Sequence, residues 1–338
     1  MFSYYFYGQK RGASRLMKAP SGKHKDLILV RAGPRSLHQG WMAPSEDEQA
    51  FDLMVLAYGH TTLALERGDF GHVDIPGSKV AGYGVFFRHH RDIVERYDQI
   101  ALIDDDIETD SRTISRAFEL GRVHKLDVWQ PSLTWDSHFS YAALLTRPGA
   151  PPIRPVNFVE MMCPFFKTSA LLKIEDLFHI GAETAIDIFW SCALGRPPGS
   201  LAVLNDVSVV HTRPVGELKA MNGFDDKMKD YSNEISRLMV EFGIPSFPGA
   251  IPLAPLGKEP HSPLSRLYYA QEMLMLMGGL NKTPMKLRRF LWILAGDILK
   301  VLFRSGTIPA DPERILSQAK KIRIEQERRD QESGNVAV

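Results

Sequence analysis

The sequence predicts an α/β fold on a doubly wound parallel sheet, followed by a helical C-terminal region. Short apolar runs alternate with helical patterns over the first two-thirds of the 338 residues, and strands that are separated by helices form parallel sheets. A proline-rich stretch at 244–263 then precedes two apolar helical segments. We therefore expect one domain over residues 1–245 and a linker with a helical region over residues 246–338.

The composition is that of an ordinary soluble globular protein, with 44% hydrophobic and 24% charged residues. The net charge of +1 argues neither for nor against a nucleic-acid partner, and we expect none. Cys163 and Cys192 lie in apolar surroundings, which predicts reduced core residues and a cytosolic compartment. No run reaches the ~18 to 20 apolar residues of a membrane span. Residues 1–18 also lack the apolar core of a signal peptide.

Six short apolar runs are the predicted strands. Between the third and the fourth, residues 83–97 are expected to be helical. Asp110 has the position of a helix N-cap, and Gly121 that of the residue that ends the same helix. A further helix is predicted to begin at residue 182. The strands are predicted at residues 26–31, 51–58, 72–75, 97–103, 127–131 and 207–211.

Three consecutive acids, Asp104, Asp105 and Asp106, follow the fourth predicted strand. Ligand sites in open α/β sheets lie just beyond the carboxyl ends of such strands. Three adjacent carboxylates repel one another unless something neutralises them, and carboxylate oxygens suit hard divalent cations. A metal with open coordination positions could then hold a diphosphate. The alternative is a solvated acidic turn.

Three further segments carry candidate site residues. Glu160 lies inside the apolar run 157–166, where a carboxylate is costly unless it is paired or used, so it is either a salt-bridged edge residue or part of a site. The helix dipole alone could explain Glu183, whereas Asp187, on the same helical face, is the better candidate for a general base. His211 ends the last predicted strand, and is either structural or a second metal ligand.

Five blocks of the chain, in order, resemble the plant and bacterial domain of unknown function 707 family, whose members look like GT-A-type glycosyltransferases. The resemblance covers about residues 25–215. One block departs from the family pattern, because residues 183–186 stand where the family has Gly-Trp-Gly-x before its Asp. The matching blocks are 97–106 (Tyr-Asp-x-Ile-x-Leu-x-Asp-Asp-Asp), 130–133 (Gln-Pro-Ser-Leu), 158–166 (Phe-Val-Glu-x-Met-x-Pro-x-Phe), Asp187 and 209–211 (Val-Val-His).

The resemblance implies a GT-A-like mixed sheet and a metal-dependent donor site. Asp104 would face the ribose and the metal, Asp106 would bind the metal, and Asp105 would lie close to the nucleotide. His211 would be a further ligand of the metal, Mn²⁺ or Mg²⁺, which would neutralise the leaving diphosphate. Lys79 could reach a phosphate or the base.

The same resemblance implies roles for five other residues. Arg31, Gly33 and Arg35, in the loop after the first strand, would hold the nucleotide of a nucleotide-sugar donor. Asp187 would deprotonate the acceptor hydroxyl, and Glu160 would hold sugar hydroxyls or the acceptor. A carboxylate base at the acceptor implies direct displacement with inversion.

Two other classes of function remain open on the sequence. The chain could be a non-catalytic protein with a GT-A fold that binds sugar nucleotides or glycans, or a metal-dependent nucleotidyltransferase or hydrolase that uses the same acids. For a glycosyltransferase, the acceptor we expect is a bacterial surface glycan or glycolipid, and the expected location is the cytoplasm or the inner face of the cytoplasmic membrane.

The C-terminal region is predicted to contain an apolar helix at 263–277, a second helix that starts at residue 283 or 284, and a charged helix or frayed tail at 311–332. Residues 256–338 carry 14 basic residues against 9 acidic ones, a net charge of +5. An apolar helix with basic flanks and a tryptophan can lie in a membrane interface. The alternative is a helical pair that packs on the first domain.

Overall fold

The structure is a computed structural model of the chain. It describes residues 15–58, 71–147, 149–194, 200–214, 228–245, 287–303 and 310–332, together with residues 247, 249–250, 253, 267, 270–271 and 274. The predicted starts of the two apolar C-terminal helices, at residues 263 and 283–284, lie outside these ranges.

The fold is a mixed α/β structure. The helices are α1 (Lys79–His89), α2 (Arg91–Val94), α3 (Ser111–Val123), α4 (Thr168–Lys173), α5 (Ile186–Leu194), α6 (Met228–Glu241), α7 (Leu287–Phe303) and α8 (Pro312–Glu332). The strands are β1 (Arg15–Lys18), β2 (Asp26–Ala32), β3 (Asp52–Ala57), β4 (Gly71–Asp74), β5 (Gln99–Asp104), β6 (Ile107–Glu108), β7 (Val128–Leu133), β8 (Ile153–Pro155), β9 (Phe165–Lys167) and β10 (Leu201–His211).

These strands form one sheet in the order β1-β4-β3-β2-β5-β9-β7-β10-β6, with β8 also paired to β10. Pairing is parallel from β4 through β3 and β2 to β5, as the alternation of strands and helices predicts. The sheet is mixed, as the resemblance implies and as the alternation of strands and helices alone does not predict, because β9 lies antiparallel between β5 and β7. The short β6, β8 and β1 are also antiparallel to their partners.

Strand register brings the carboxyl ends of the central strands to one edge. Arg31 of β2 pairs with Asp104 of β5, and Leu29 pairs with Leu102 two positions earlier. The side chains of the central parallel strands are almost all buried, as expected for strands covered on both faces. The acidic residues after β5 therefore lie at the end of the most buried part of the sheet.

The predicted start of the helix after the acids is confirmed, but its predicted end is wrong. Asp110 caps α3, since its Oδ1 accepts a hydrogen bond from Thr113 N at 2.7 Å. Gly121 does not end this helix, which continues to Val123. A Cβ at Gly121 would lie 2.1 Å from Cζ2 of Trp129. The glycine is therefore required where α3 packs against β7.

The helix predicted from residue 182 begins four residues later, at Ile186. Glu183 therefore precedes the helix, and the explanation by the dipole of its own helix is wrong. Its carboxylate instead accepts hydrogen bonds from Val80 N at 3.2 Å and Ala81 N at 3.1 Å. Glu183 thus satisfies main-chain donors in the first turn of α1, where a negative charge is favourable.

The last helix packs on the first domain although it lies beyond residue 245. Ile315 and Ala319 of α8 are fully buried and belong to the same hydrophobic core as the sheet. Arg323 Nε lies 2.5 Å from Asp176 Oδ1, and Gln326 Nε2 donates to His179 O at 2.7 Å. Of the two predicted states for this segment, the charged helix is confirmed. Of the described helices, none is long and apolar enough to cross a membrane.

Candidate active site

The acidic turn after β5 is held between two loops. Leu37 N, in the loop that follows β2, donates to Asp105 O at 2.8 Å. Thr212, which follows β10, donates to Asp106 O from its main-chain N at 3.1 Å and from its Oγ1 at 2.8 Å. The turn therefore lies where the ends of β2, β5 and β10 converge, at the edge of the sheet where the sequence predicts a site.

Asp104 forms an ion pair with Lys79, the first residue of α1. The same ammonium group donates to the main-chain carbonyl of Met161. Burial raises the pKa of Asp104 to about 6; the charge of Lys79 opposes this shift and that of Asp106 adds to it. A quarter of the Asp104 side chain remains exposed. Lys79 is thus the cation that neutralises Asp104 in this structure.

Asp105 is a buried residue that fixes the loop after β2. Its Oδ2 accepts from Gly33 N at 3.0 Å and from the Tyr58 hydroxyl at 3.2 Å, and Arg213 Nη2 donates to its Oδ1 at 3.3 Å. A Cβ at Gly33 would lie 2.5 Å from the Tyr58 hydroxyl oxygen, so glycine is needed for this arrangement. The predicted nucleotide residues Asp105 and Gly33 therefore contact each other.

Asp106 faces His211, with 3.4 Å between Oδ2 and Nε2. Burial opposes ionisation, but the hydrogen bond and charge of His211, with the nearby Arg213, lower the pKa of Asp106 below its ordinary value. Burial also disfavours the charged form of His211 and so lowers its pKa. The Asp106 carboxylate outweighs this effect, and the pKa of His211 is raised above its ordinary value. Among the described residues, Asp106 Oδ1 is buried with no hydrogen-bond partner.

The pair of Asp106 and His211 fits a divalent cation. His211 Nδ1 lies 2.7 Å from the carbonyl oxygen of His138, an acceptor, so this nitrogen carries the proton. In the neutral ring, Nε2 then presents a lone pair to a carboxylate oxygen, and only a proton or a metal ion can lie favourably between them. The partnerless Oδ1 of Asp106 is a further donor atom. Across the described ranges, however, no three His, Cys, Asp or Glu side chains are grouped to hold a metal, and Asp104 pairs with Lys79 instead.

Glu160 and Asp187 are two further carboxylates, both buried. Asp187 accepts hydrogen bonds from Met161 N at 3.2 Å and from Ile188 N at 3.1 Å. Burial raises its pKa to about 7, although these N–H groups oppose the shift. Burial, with the charge of Asp187, raises the pKa of Glu160 to about 8, against a hydrogen bond from Ser140. Both groups therefore exchange protons near neutral pH, as general acids and bases do.

The main chain of Met161 connects the two groups of acids. Its carbonyl accepts from Lys79, which pairs with Asp104, and its N–H donates to Asp187. The next residue, Met162, accepts from Asp104 N at 2.9 Å. The apolar run 157–166 therefore lies against the end of β5 and places Asp187 and Glu160 beside the acidic turn. Most of this run is not a strand, since β9 begins only at Phe165.

Arg31 is buried, and its side chain contacts the loop that leads into α1. Its guanidinium donates to the carbonyls of Ile75 at 2.6 Å, Gly77 at 2.8 Å and Ser78 at 3.3 Å. These carbonyls belong to the loop that leads into α1, so Arg31 anchors that loop and with it Lys79. The predicted contact of Arg31 with a nucleotide stays a prediction, and in this structure its guanidinium hydrogen-bonds main-chain carbonyls. Arg35 lies exposed after β2, and its carbonyl accepts from Arg213 at 3.1 Å.

Sequence reasoning missed Arg213 and Tyr58. Arg213 contacts Asp105 and lies 3.8 Å from Asp106, so one guanidinium partly neutralises both acids. The available signal was its position directly after His211, beyond the end of a strand. Tyr58 likewise directly follows β3, and its hydroxyl donates a hydrogen bond to Asp105 Oδ2. A polar or basic residue just past a core strand was thus informative at both places.

No protein-family model matches the chain, and no curated protein matches it. Among solved structures, the chain is similar to S. aureus TarS 1-349, with 14% identity and a TM-score of 0.41 over 82% of this chain and 89% of that one. The same protein in complex with UDP gives 13% identity and a TM-score of 0.37 over the same shares. A197 from STIV gives 13% identity and a TM-score of 0.33 over 55% of this chain and 85% of that one. The fold description therefore rests on the strand order and register given above.

Proposed function

We propose that this chain is a GT-A-like glycosyltransferase that moves a sugar from a nucleotide-sugar donor to a hydroxyl acceptor, with a divalent metal at the donor. The observation that carries the proposal is the link from Asp104 through Lys79 and the Met161 main chain to Asp187. It sets the acidic turn, where we propose a metal site, beside two buried carboxyl groups whose pKa values burial raises to about 7 and about 8. Sugar transfer needs both parts, one for the leaving diphosphate and one for the attacking hydroxyl.

At the donor end, Asp106 and His211 would hold Mn²⁺ or Mg²⁺. A bound metal would supply positive charge to the diphosphate as it leaves. Lys79 already carries its charge to the same turn, and we propose that it contacts a donor phosphate or remains with Asp104 as the ribose binds. Asp105 and Gly33, fixed to each other, hold the loop on which the nucleotide would lie.

At the acceptor end, Asp187 would be the general base. A base is most effective when its pKa lies near the working pH, and the pKa of Asp187 is raised to about 7. Glu160, whose pKa lies higher still at about 8, would stay protonated and hold the acceptor or sugar hydroxyls. A carboxylate base of this kind implies inversion at the transferred carbon. The acceptor we propose is a hydroxyl of a glycan or glycolipid.

A screen of sugar nucleotides tests this function. The full-length protein is scanned for thermal stabilisation by each donor with Mn²⁺, with Mg²⁺ and with EDTA, and the hits are assayed for transfer and for hydrolysis. We expect one nucleotide class to raise Tm only with metal and to be turned over. Stabilisation without turnover of any donor would make the chain a binding protein. Nucleoside triphosphates without an attached donor sugar are assayed in parallel. Their turnover would make the chain a nucleotidyltransferase or hydrolase.

A further inference from the structure

The outward side of α7 is an apolar surface that no described part of the chain covers. Trp292 is 76% exposed, and Leu287, Leu291 and Leu299 are 56%, 40% and 55% exposed. The inward side is docked, since Leu294 is buried and Ile298 packs on the core. A surface helix normally turns polar residues to the outside, and a contiguous exposed apolar patch marks an interaction site. The sequence offered packing on the first domain as an alternative. That packing explains the buried side of α7 but not its exposed apolar side.

The exposed apolar residues share one side of the helix. Leu291, Ala295 and Leu299 follow one another at intervals of four, so they lie along one face. Trp292 lies next to this row, three positions before Ala295. Leu267 and Leu274, in the helical segment before α7, are also exposed, at 62% and 52%. The surface is therefore a row along α7 that contains Leu291 and Leu299 with Trp292 beside them, and not a single exposed residue.

The sequence of α7 and its flanks is basic. Residues 282–304 contain six Lys and Arg against one acid, a net charge of +5 in a chain whose total is +1. Exposed Arg288 lies one turn before Trp292 on α7. Two copies of this chain that met through α7 would bring two such charges together, which disfavours self-association. An apolar row with a tryptophan, on a segment whose sequence is basic, is instead complementary to an anionic lipid surface.

We propose that α7 seats the protein on an anionic membrane surface, with Leu291, Trp292 and Leu299 at the boundary between headgroups and acyl chains. The helix has 17 residues, short of the ~20 that a span needs, and its inner side is committed to the core. It would therefore lie in the plane of the interface. This proposal goes beyond sugar transfer and does not depend on it.

Tryptophan fluorescence of the full-length protein tests the proposal. Trp292 is the exposed tryptophan, and Trp41, Trp129, Trp135 and Trp190 are buried, so a spectral change on membrane binding reports α7. The protein is mixed with vesicles of phosphatidylcholine alone or with added phosphatidylglycerol, and binding is also measured by co-sedimentation. We expect a blue shift and co-sedimentation with the anionic vesicles that weaken as salt is raised, because salt screens the basic residues.

Matched variants separate the surface from general stickiness. The double variant Leu291→Gln/Leu299→Gln should weaken co-sedimentation by at least about tenfold, since each leucine loses its apolar burial. Val123→Gln and Val240→Gln, at exposed apolar positions on α3 and α6, should leave it unchanged. Trp292→Phe should keep co-sedimentation and lose the spectral shift.

Three results would overturn the proposal. The first is no binding of the full-length protein to anionic vesicles at low salt. The second is equal binding to neutral vesicles, which would remove the role of charge. The third is a blue shift without vesicles that grows with protein concentration together with a doubled mass by light scattering, which would assign the surface to a second copy of the chain.

Discussion

Asp104, Asp105 and Asp106 are neighbours in the chain, but each carboxylate faces a different partner. Lys79 pairs with the first, Gly33 N and Tyr58 bind the second, and His211 faces the third. These partners offset much of the repulsion among three adjacent acids, although the charge of Asp106 still adds to the raised pKa of Asp104. It also gives them different tasks, because Asp105 holds the loop while Asp104 and Asp106 remain at the edge of the site.

With Asp187 as the proposed general base, its raised pKa predicts how the rate of transfer depends on pH. A general base must be deprotonated, so the rate should fall as the pH drops below about 7, the pKa that burial gives this carboxyl. The charge of Lys79 opposes the rise in the pKa of Asp187, and the charge of Asp187 in turn raises the pKa of Glu160. The measurement is kcat/KM from pH 5.5 to 8.5 with donor and metal saturating. A rate that stays constant down to pH 5.5 would show that Asp187 is not the base.

At the scale of elements, the site depends on how α1, α3 and the run 157–166 approach the sheet. Glu183 caps α1 from a distant part of the chain, and Arg31 anchors the loop before it. Lys79 is thereby fixed at the helix start, within reach of Asp104. On the other side of the sheet edge, α3 can lie close to β7 only because Gly121 has no side chain.

Gly121→Ala should destabilise the fold. The new methyl group would meet the ring of Trp129 at 2.1 Å, and overpacking of this kind costs about 1 to 3 kcal/mol. Gly296→Ala in α7 is the matched control, because a Cβ there meets nothing within 4 Å and alanine favours a helix by up to ~1 kcal/mol. Urea unfolding followed by circular dichroism compares the two. Equal stability of Gly121→Ala and the unchanged protein would contradict the close approach.

At the scale of the whole molecule, the C-terminal helix α8 belongs to the same core as the sheet. Ile315 and Ala319 are fully buried in that core, and Arg323 joins α8 to Asp176. The segment lies almost seventy residues beyond the predicted domain boundary at 245. Helix α8 therefore packs against the same domain that contains the candidate site.

Ile315→Ala should lower the stability of the whole molecule. Removal of a buried isoleucine side chain costs about 2 to 5 kcal/mol, and we expect one shared unfolding transition that moves to lower urea. Lys320→Ala, on the exposed side of α8, is the control and should move it little. A separate early transition for α8, with the rest of the chain unchanged, would show that this helix folds on its own.

The sequence predicts six of the ten described strands, their order in the chain and the position of the acids, because a buried run that ends in charge is a local pattern. Asp110 as a cap is equally local, and the structure confirms it. Pairings between distant segments could not be read in the same way. Lys79 with Asp104, Glu183 with α1 and the insertion of β9 between β5 and β7 each depend on the fold. For Arg31, its place at the end of the first strand suggested a nucleotide contact, and the sequence did not reveal that its guanidinium donates to main-chain carbonyls before α1.

We propose that metal-dependent donor binding and acceptor activation reside in separate residues of one site. The most direct measurement compares donor binding by calorimetry and transfer rate for Asp106→Asn and Asp187→Asn, with the metal present. We predict that Asp106→Asn loses metal-dependent donor binding. Asp187→Asn should bind donor as before and lose transfer by about 10² to 10⁴-fold, the usual contribution of a general base. Full manganese-dependent donor binding by Asp106→Asn, or an equal loss of donor affinity in both variants, would contradict this division of roles between Asp106 and Asp187.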